Sequence, residues 1–186
     1  MEFLDSLIEY DKQLLLFLHS KGIEFWDGFW LFITYPPHWI PLFFLLFYFG
    51  YKAYGLKKAI YISIITALSA ATSLMVVNII KNIFQRIRPI NDVSINKSIR
   101  VLVEANDFSF VSGHSAVSFT VAFFSFWILK KQYKGALLIF IFPLLFAYSR
   151  IYLALHYPID IFAGMLLGYF IAVIFYKITN FFVLKN

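Results

Sequence analysis

The sequence predicts an all-α, polytopic membrane protein with about five transmembrane helices and an N-terminal amphipathic helix. Apolar residues make up 61% of the 186 residues and charged residues 14%, whereas average globular domains hold about 45–50% and about 25%. The mean hydropathy is +0.77. A chain of this size cannot bury so much apolar surface in one soluble core. The apolar residues also fall into long segments separated by charged loops, as in proteins whose helices cross a bilayer.

Residues 1–21 have the spacing of an amphipathic helix. Apolar side chains recur there at three- and four-residue intervals, between acidic residues: Phe3, Leu4, Leu7, Ile8, Leu14, Leu15 and Leu18. Such a helix lies along the membrane surface or packs on the other helices, and the sequence leaves both arrangements open. The chain starts with acidic residues rather than the basic region of a secretory signal, so we expect this segment to be retained.

Five apolar segments follow this helix. The first covers residues 29–51 and is interrupted by Pro36 and Pro37, and the others cover residues 59–80, 114–129, 135–149 and 158–176. Several are shorter than the roughly 20 residues that a full span needs, so we expect their helices to extend into the flanking loops. We also expect one membrane-embedded domain over residues 1–186, because no repeat or change of composition divides the chain.

The basic residues predict which side of the membrane each loop faces. With five spans, one side receives eight lysines and no acidic residue: Lys52, Lys57, Lys58, Lys130, Lys131, Lys134, Lys177 and Lys185. These lysines lie in two short loops and a tail, where the positive-inside rule applies best, so we place them in the cytoplasm. The N-terminus and the 82–112 loop then face outward. The net charge of +6 is therefore a topology signal, and no nucleic-acid partner is predicted.

Three polar groups lie at the predicted outer ends of the spans. They are Lys81 with Arg88 and Pro89, then Ser112-Gly113-His114, and finally Ser149-Arg150 with His156 and Asp160. Ionisable residues near a membrane are costly and mark candidate functional sites. Because all three groups are expected on one side, we expect them to meet in one pocket near the membrane surface.

The residue types suit a tetrahedral dianion. Arginine presents planar paired donors that match phosphate oxygens, and a Ser-Gly pair before a helix offers backbone N–H groups to an anion. His114 and His156 can transfer protons or attack near neutral pH. Asp160 follows His156 by four residues and can hold its imidazole in the attacking tautomer. The chain has no cysteine, which excludes a thiolate nucleophile.

Each polar group alone also has an ordinary structural explanation. A cluster of lysine and arginine can anchor a helix end, Ser112 can be a helix N-cap, and His156 with Asp160 can form a structural hydrogen bond. The joint occurrence of the groups favours the anion site. The other cations of the long loop are expected to be solvated or to recognise a headgroup: Arg86, Lys97 and Arg100.

The three groups together resemble the signature motifs of the type 2 phosphatidic acid phosphatase superfamily. Those motifs are Lys, six residues, Arg-Pro; then Pro-Ser-Gly-His; then Ser-Arg, five residues, His, three residues, Asp. Lys81, Arg88 and Pro89 match the first motif, and the third matches from Ser149 to Asp160. The second has Val111 in place of the usual proline, which leaves every reactive group in place but bears on the local loop geometry.

The resemblance implies a role for each matching residue. His156 would be the nucleophile that forms a phosphohistidine, Asp160 would orient it, and His114 would be general acid and then general base. The phosphoryl oxygens would be held by five residues: Lys81, Arg88, Ser112, Gly113 and Arg150. The resemblance implies no metal and no other cofactor.

The membrane setting predicts a phosphorylated lipid as substrate. The candidates are undecaprenyl diphosphate, phosphatidylglycerol phosphate, phosphatidic acid and lipid A, and the expected location is the outward face of a bacterial inner membrane. Two alternatives stay open at this point: a membrane phosphatase or phosphotransferase that acts on a soluble ester, and a non-enzymatic membrane protein that binds lipids or anions.

Overall fold

The computed structural model describes residues 2–184, and that part of the protein is mainly helical and contains no strand. For Glu2 and Phe3 only the backbone is described. The α-helices follow in the order α1 Glu2–His19, α2 Asp27–Ile33, α3 Ile40–Phe84, α4 Gly113–Leu129, α5 Ile141–Tyr152 and α6 Pro158–Thr179. Short 3₁₀ turns precede α2, α3 and α5, and a π-helical turn, Asn180–Leu184, follows α6.

Three helical stretches are long and apolar enough to cross a membrane. They are Pro36–Asn91, Lys134–Tyr152 and Pro158–Leu184, and the shorter apolar helix Gly113–Leu129 accompanies them. Most of the predicted segments extend at their ends, as expected from their lengths. The predicted class, a helical membrane protein, is confirmed, whereas the number of five passes stays a prediction.

The longest stretch is broken at Gly55. This residue has φ 79° and ψ 167°, a region that glycine adopts without a steric penalty. A β-carbon on Gly50 would lie 3.9 Å from the β-carbon of Ala59, so the two arms of α3 lie side by side near the break. The stretch therefore supplies two antiparallel arms, residues 40–54 and 56–84.

The helices have two chemically different ends. At one end, Lys81 lies in the last turn of α3, Gly113 begins α4, Arg150 lies in the last turn of α5, and Pro158 begins α6. The lysines that were predicted to be cytoplasmic lie at the other ends of these helices, apart from Lys185, which is outside the described residues. The three polar groups thus share one end of the molecule.

Helix α4 packs very closely on α6. A β-carbon on Gly164 would lie 2.6 Å from the carbonyl oxygen of Ser112, and one on Gly168 would lie 2.6 Å from that of Ala116. Glycine is needed at both positions because any side chain would collide with the α4 backbone. This packing brings the start of α4, with His114, beside the start of α6, with Asp160.

The N-terminal helix packs on the other helices, which is one of the two arrangements that the sequence left open. Asp11, Leu15 and His19, which are four residues apart, are buried against the body of the protein. Several apolar side chains of the same helix stay exposed and available to a bilayer surface: Leu4, Leu7, Ile8, Leu14 and Phe17. Helix α1 therefore lies across the polar end of the molecule and contacts α5 and α6.

Candidate active site

Lys81 and Arg88 share one carboxylate at the centre of the polar end. Lys81 Nζ lies 2.6 Å from Asp107 Oδ2, and Arg88 donates to Asp107 Oδ1 from Nε at 2.9 Å and from NH2 at 2.7 Å. Partial burial alone would raise the pKa of Asp107, but the hydrogen bond from Lys81 and the charges of both cations outweigh it and hold that pKa at about 2. An ionised carboxylate thus bridges the two cations.

His156 is buried beside this pair, in the short connection between α5 and α6. Arg88 NH1 lies 3.1 Å from His156 Nε2 and also donates to the carbonyl oxygen of Leu155 at 2.6 Å. A guanidinium can only donate, so Nε2 accepts and the proton of the neutral ring is on Nδ1. Burial, and then the charges of three neighbouring cations, keep the pKa of His156 well below its ordinary value. The ring is therefore neutral near pH 7, with its lone pair toward Arg88.

Asp160 is fully buried in the first turn of α6 and is held by several donors. Its Oδ2 accepts from the backbone N–H of Tyr157 at 2.9 Å and from the hydroxyl of Ser109. Its Oδ1 accepts from Arg86 NH1 at 2.6 Å. His156 Nδ1 lies 3.7 Å from Asp160 Oδ2 and has no hydrogen-bond partner. The carboxylate therefore faces the protonated ring nitrogen just beyond hydrogen-bond distance.

Arg150 projects from the last turn of α5 and is 7% exposed. Its NH1 donates to the hydroxyl oxygen of Thr34 at 2.6 Å, while its Nε is buried without a partner. A buried guanidinium donor without an acceptor is costly. An oxygen-rich anion would satisfy it. Thr34, which follows α2, holds one edge of the guanidinium and leaves Nε free.

The start of α4 supplies the second polar group. The Ser112 hydroxyl accepts from the backbone N–H of Ser115 at 3.4 Å, as an N-cap does, and the Ser112 N–H donates to the carbonyl of Asp160 at 3.0 Å. The Ser112 N–H is therefore used within the protein. The next two N–H groups, of Gly113 and His114, have no acceptor inside the helix and can face an anion.

The three polar groups meet at this end. The ring of His114 packs edge-on against Phe146 of α5, with centroids 4.8 Å apart. It is also within electrostatic range of His156 and of three cations: Lys81, Arg88 and Arg150. The structure thus brings together all eight residues singled out by the sequence. No cluster of three metal-binding side chains occurs among the described residues.

The prediction for the loop cations was wrong for Arg86, which pairs with the buried carboxylates of Asp160 and Asp11. Lys97 is exposed as expected. Arg100 keeps a side chain that is 37% exposed, although it pairs with Asp27 at 2.5 Å. Sequence spacing carries no information about such partners, because Asp11 lies 75 residues from Arg86.

Four further residues at the site were missed, namely Asp107, Ser109, Thr34 and Asp11. A signal existed for two of them, since Asp107 and Ser109 are polar residues that lie five and three residues before Ser112. Val111, which replaces the usual proline, is buried and follows a cis peptide bond from Phe110. The reactive groups that follow it remain at the common end of the helices.

Comparisons with known proteins show the family of this chain. A model of the PAP2 superfamily matches residues 61–183. Lipid A 4′-phosphatase of Bacteroides thetaiotaomicron is 29% identical over 181 residues, which are 95% of this chain and 80% of that protein. Undecaprenyl-diphosphatase of Sulfolobus acidocaldarius is 26% identical over 176 residues, or 93% of this chain and 80% of that one.

A solved structure has the same fold. The crystal structure of a transmembrane PAP2-type phosphatidylglycerolphosphate phosphatase from Bacillus subtilis superposes with a TM-score of 0.75 at 19% identity, and covers 95% of this chain and 88% of that one. The family model alone spans well over half of the chain, from the second arm of α3 to the end of α6. The chain therefore belongs to the PAP2 superfamily and is a membrane phosphatase.

Proposed function

We propose that the protein, as a single domain over residues 1–186, hydrolyses the phosphate or diphosphate headgroup of a membrane lipid through a phosphohistidine intermediate. One observation carries this proposal. The neutral ring of His156 presents the lone pair of Nε2 to a guanidinium of the cation cluster, where a bound phosphoryl group would lie. A nucleophile in this position needs no external base to activate it.

Substrate binding would begin by exchange of one anion for another. The oxygens of Asp107 occupy donors of Lys81 and Arg88, and the phosphoryl oxygens would take over those donors. Arg150 Nε, which has no partner, and the first N–H groups of α4 would bind the remaining oxygens. Arg88 NH1 would turn from His156 Nε2 to the phosphoryl group, which frees the lone pair for attack.

In the first chemical step, His156 Nε2 attacks phosphorus and the bond from phosphorus to the leaving oxygen breaks. The leaving group is a lipid alkoxide for a phosphomonoester, or a lipid phosphate for a diphosphate. His114 gives it a proton. The positive charge that forms on the His156 ring is stabilised by Asp160, toward which Nδ1–H already points.

In the second step, water attacks phosphorus and gives a proton to His114. The phosphorus–nitrogen bond breaks, its electron pair returns to Nε2, and inorganic phosphate leaves. Negative charge on the phosphoryl oxygens is stabilised throughout by Lys81, Arg88 and Arg150. No metal ion has a role in these steps.

The position of the site supports a lipid as substrate and an outward orientation. The cluster lies where four apolar helices begin or end, at the level at which a lipid headgroup would meet it. The candidate classes are undecaprenyl diphosphate, phosphatidylglycerol phosphate, phosphatidic acid and lipid A. The lysine-rich ends of the helices lie opposite, which favours a site on the outer face of a bacterial inner membrane.

The test is phosphate release by the purified full-length protein in proteoliposomes from a panel of these four lipids and their short-chain analogues. We expect release from at least one long-chain lipid, and no loss of it when a chelator is present. Preference for the short-chain esters would instead support a phosphatase for soluble substrates. Loss of activity with the chelator would contradict the metal-independent mechanism.

A pair of histidine variants tests the nucleophile. His156→Ala should abolish release and the acid-labile phosphoprotein that rapid quenching traps. His38→Ala is the matched control, because His38 is exposed and its ring contacts Phe32 and Tyr35, so the phosphate release of this variant should be normal. Full activity of His156→Ala would overturn the proposed mechanism.

A further inference from the structure

Arg86 joins two buried carboxylates that belong to distant parts of the chain. Its NH1 donates to Asp160 Oδ1 at 2.6 Å and its NH2 donates to Asp11 Oδ2 at 2.7 Å. The two carboxylate side chains are 0% and 1% exposed. The guanidinium also lies 3.9 Å above the ring of Tyr157. Buried carboxylates need a charged partner to stay ionised, and Arg86 supplies it to both.

The remaining oxygens of these carboxylates bind the start of α6. Asp11 Oδ1 accepts from the backbone N–H of Ile159 at 2.9 Å. Asp160 Oδ2 accepts from the N–H of Tyr157 and from Ser109. The carboxylate of Asp160 is thus fixed by donors from three segments of the chain, and its Oδ2 is left facing His156 Nδ1 at 3.7 Å.

We infer that Arg86 and Asp11 are positioning residues, which hold the Asp160 carboxylate beside His156 and so set the tautomer and direction of the reacting imidazole. This inference rests on the proposed function, in which His156 attacks phosphorus. Neither residue contacts the reacting atoms. Arg86 acts through Asp160, and Asp11 acts through Arg86, so that α1 completes the support of the site.

The planar guanidinium is essential to this arrangement. It presents separate donors to Asp160 and Asp11. A lysine side chain at position 86 would keep the positive charge, but its ammonium is a compact point charge without this planar pair of donors. Without the cation, the buried Asp160 would bind a proton or turn away from His156. Once Arg88 NH1 has turned from Nε2 to a bound phosphoryl group, the proton of the neutral imidazole would then be shared between its two nitrogens, and fewer molecules would present Nε2 for attack.

The experiment compares kcat, KM and the ¹⁵N spectrum of the histidines in the full-length protein. The variants are Arg86→Met, Arg86→Lys and Asp11→Asn, with phosphatidic acid or the best lipid of the panel as substrate. We expect kcat to fall about ten- to a hundredfold for Arg86→Met, the usual cost of removing a group that orients a reacting side chain. KM should change by less than about threefold, because these residues do not bind the phosphoryl group.

The ¹⁵N spectrum separates positioning from a purely structural role. With inorganic phosphate bound, so that Arg88 is engaged by the anion, the His156 signal, identified by its absence in His156→Gln, should show the Nδ1–H tautomer in the wild type and a mixture in Arg86→Met. Arg86→Lys should recover part of kcat. The kcat of Asp11→Asn should lie between those of the wild type and Arg86→Met, because this variant keeps an acceptor for the N–H of Ile159 but loses the negative charge that pairs with Arg86.

Lys12→Met is the matched control on the same helix. Lys12 pairs with Asp92 at 2.8 Å and fastens α1 without touching Asp160. Its loss should leave kcat and the His156 tautomer unchanged. Equal losses of kcat in Lys12→Met and Asp11→Asn, with the tautomer unchanged, would show that α1 acts only structurally and would overturn the inference.

Two further outcomes are decisive. If Arg86→Met does not fold, Arg86→Lys and Asp11→Asn carry the test, and wild-type values of kcat and tautomer in both would overturn the inference. If the wild type releases phosphate from none of the substrates, the proposed function fails. The tautomer comparison still tests the positioning of His156 in that case.

Discussion

At the scale of single residues, Asp107 occupies the donors that we propose for the phosphoryl oxygens of the substrate. Its carboxylate bridges Lys81 and Arg88 while its own side chain is 60% exposed. Under the proposed function, an incoming phosphoryl group would compete with this carboxylate for the two cations. The strength of the internal contact would then set part of the apparent affinity for phosphate.

Asp107→Asn should therefore strengthen inhibition by inorganic phosphate. Exposed ion pairs contribute about 0.2–1 kcal/mol, so we expect the inhibition constant to fall about two- to fivefold. Glu104→Gln is the matched control, because it removes the same charge from an exposed position of the same loop. An unchanged or higher inhibition constant for Asp107→Asn would show that Asp107 supports the cations without competing for them.

The acid side of the pH profile tests the proposed role of His156. The pKa of His156 lies well below 6.5, so the ring gains a proton only when the pH falls through that lower value. We expect kcat/KM, after division by the ionised fraction of the substrate phosphate, to stay level as the pH decreases through 6.5. A measured acid limb at or above pH 6.5 would contradict the assignment of His156 as the group that must be neutral.

At the scale of helices, the contact between α4 and α6 positions both histidines. The two glycines of α6 allow the backbones to touch, and the Ser112 N–H binds the carbonyl of Asp160 where the helices begin. A small separation of α4 from α6 would therefore move His114 relative to His156. The apolar contact inside the membrane and the chemistry at its end are mechanically linked.

Gly168→Ala should lower both thermal stability and activity. The new β-carbon would lie 2.6 Å from the carbonyl oxygen of Ala116 and 2.9 Å from the N–H of Thr120, and such overpacking costs about 1–3 kcal/mol. Gly28→Ala is the control, because nothing lies within 4 Å of its β-carbon, and its melting temperature in detergent should be unchanged or higher. Equal melting temperatures for the two variants would contradict the close approach of α4 and α6.

At the scale of the whole molecule, the charges divide between two ends. One end has the acidic residues, the three polar groups and α1, and the other has the lysines of the short loops. Because lysine-rich loops are transported across a membrane unfavourably, we expect the lysine-rich end to stay in the cytoplasm. The proposed phosphate site would then face outward.

Labelling of single cysteines tests this orientation. The natural chain has no cysteine, so Lys97→Cys, Lys57→Cys and Lys131→Cys each provide one exposed thiol. In intact bacterial cells that express the protein, a membrane-impermeant maleimide should label only Lys97→Cys, and the other two should react after lysis. Labelling of Lys57→Cys in intact cells would reverse the orientation and place the site in the cytoplasm.

The sequence by itself determined the helical membrane class, most helix boundaries and the residues of the three motifs. Apolar segment length and motif spacing are local properties of the chain, so they can be recognised without coordinates. The third apolar segment, residues 114–129, for example, differs from α4 by one residue. The same local information identified Lys81, Arg88 and His156 as members of one site.

Only the tertiary structure decided which groups pair with one another. Arg86 was expected in solvent because its sequence neighbours do not reveal Asp11 and Asp160, which lie 75 and 74 residues away. Thr34 reaches Arg150 across 116 residues, and Asp107 reaches Arg88 across 19. Hydrogen bonds and ion pairs act over about 3 Å in space, whereas sequence patterns report distance along the chain, and packing of the helices is what relates the two.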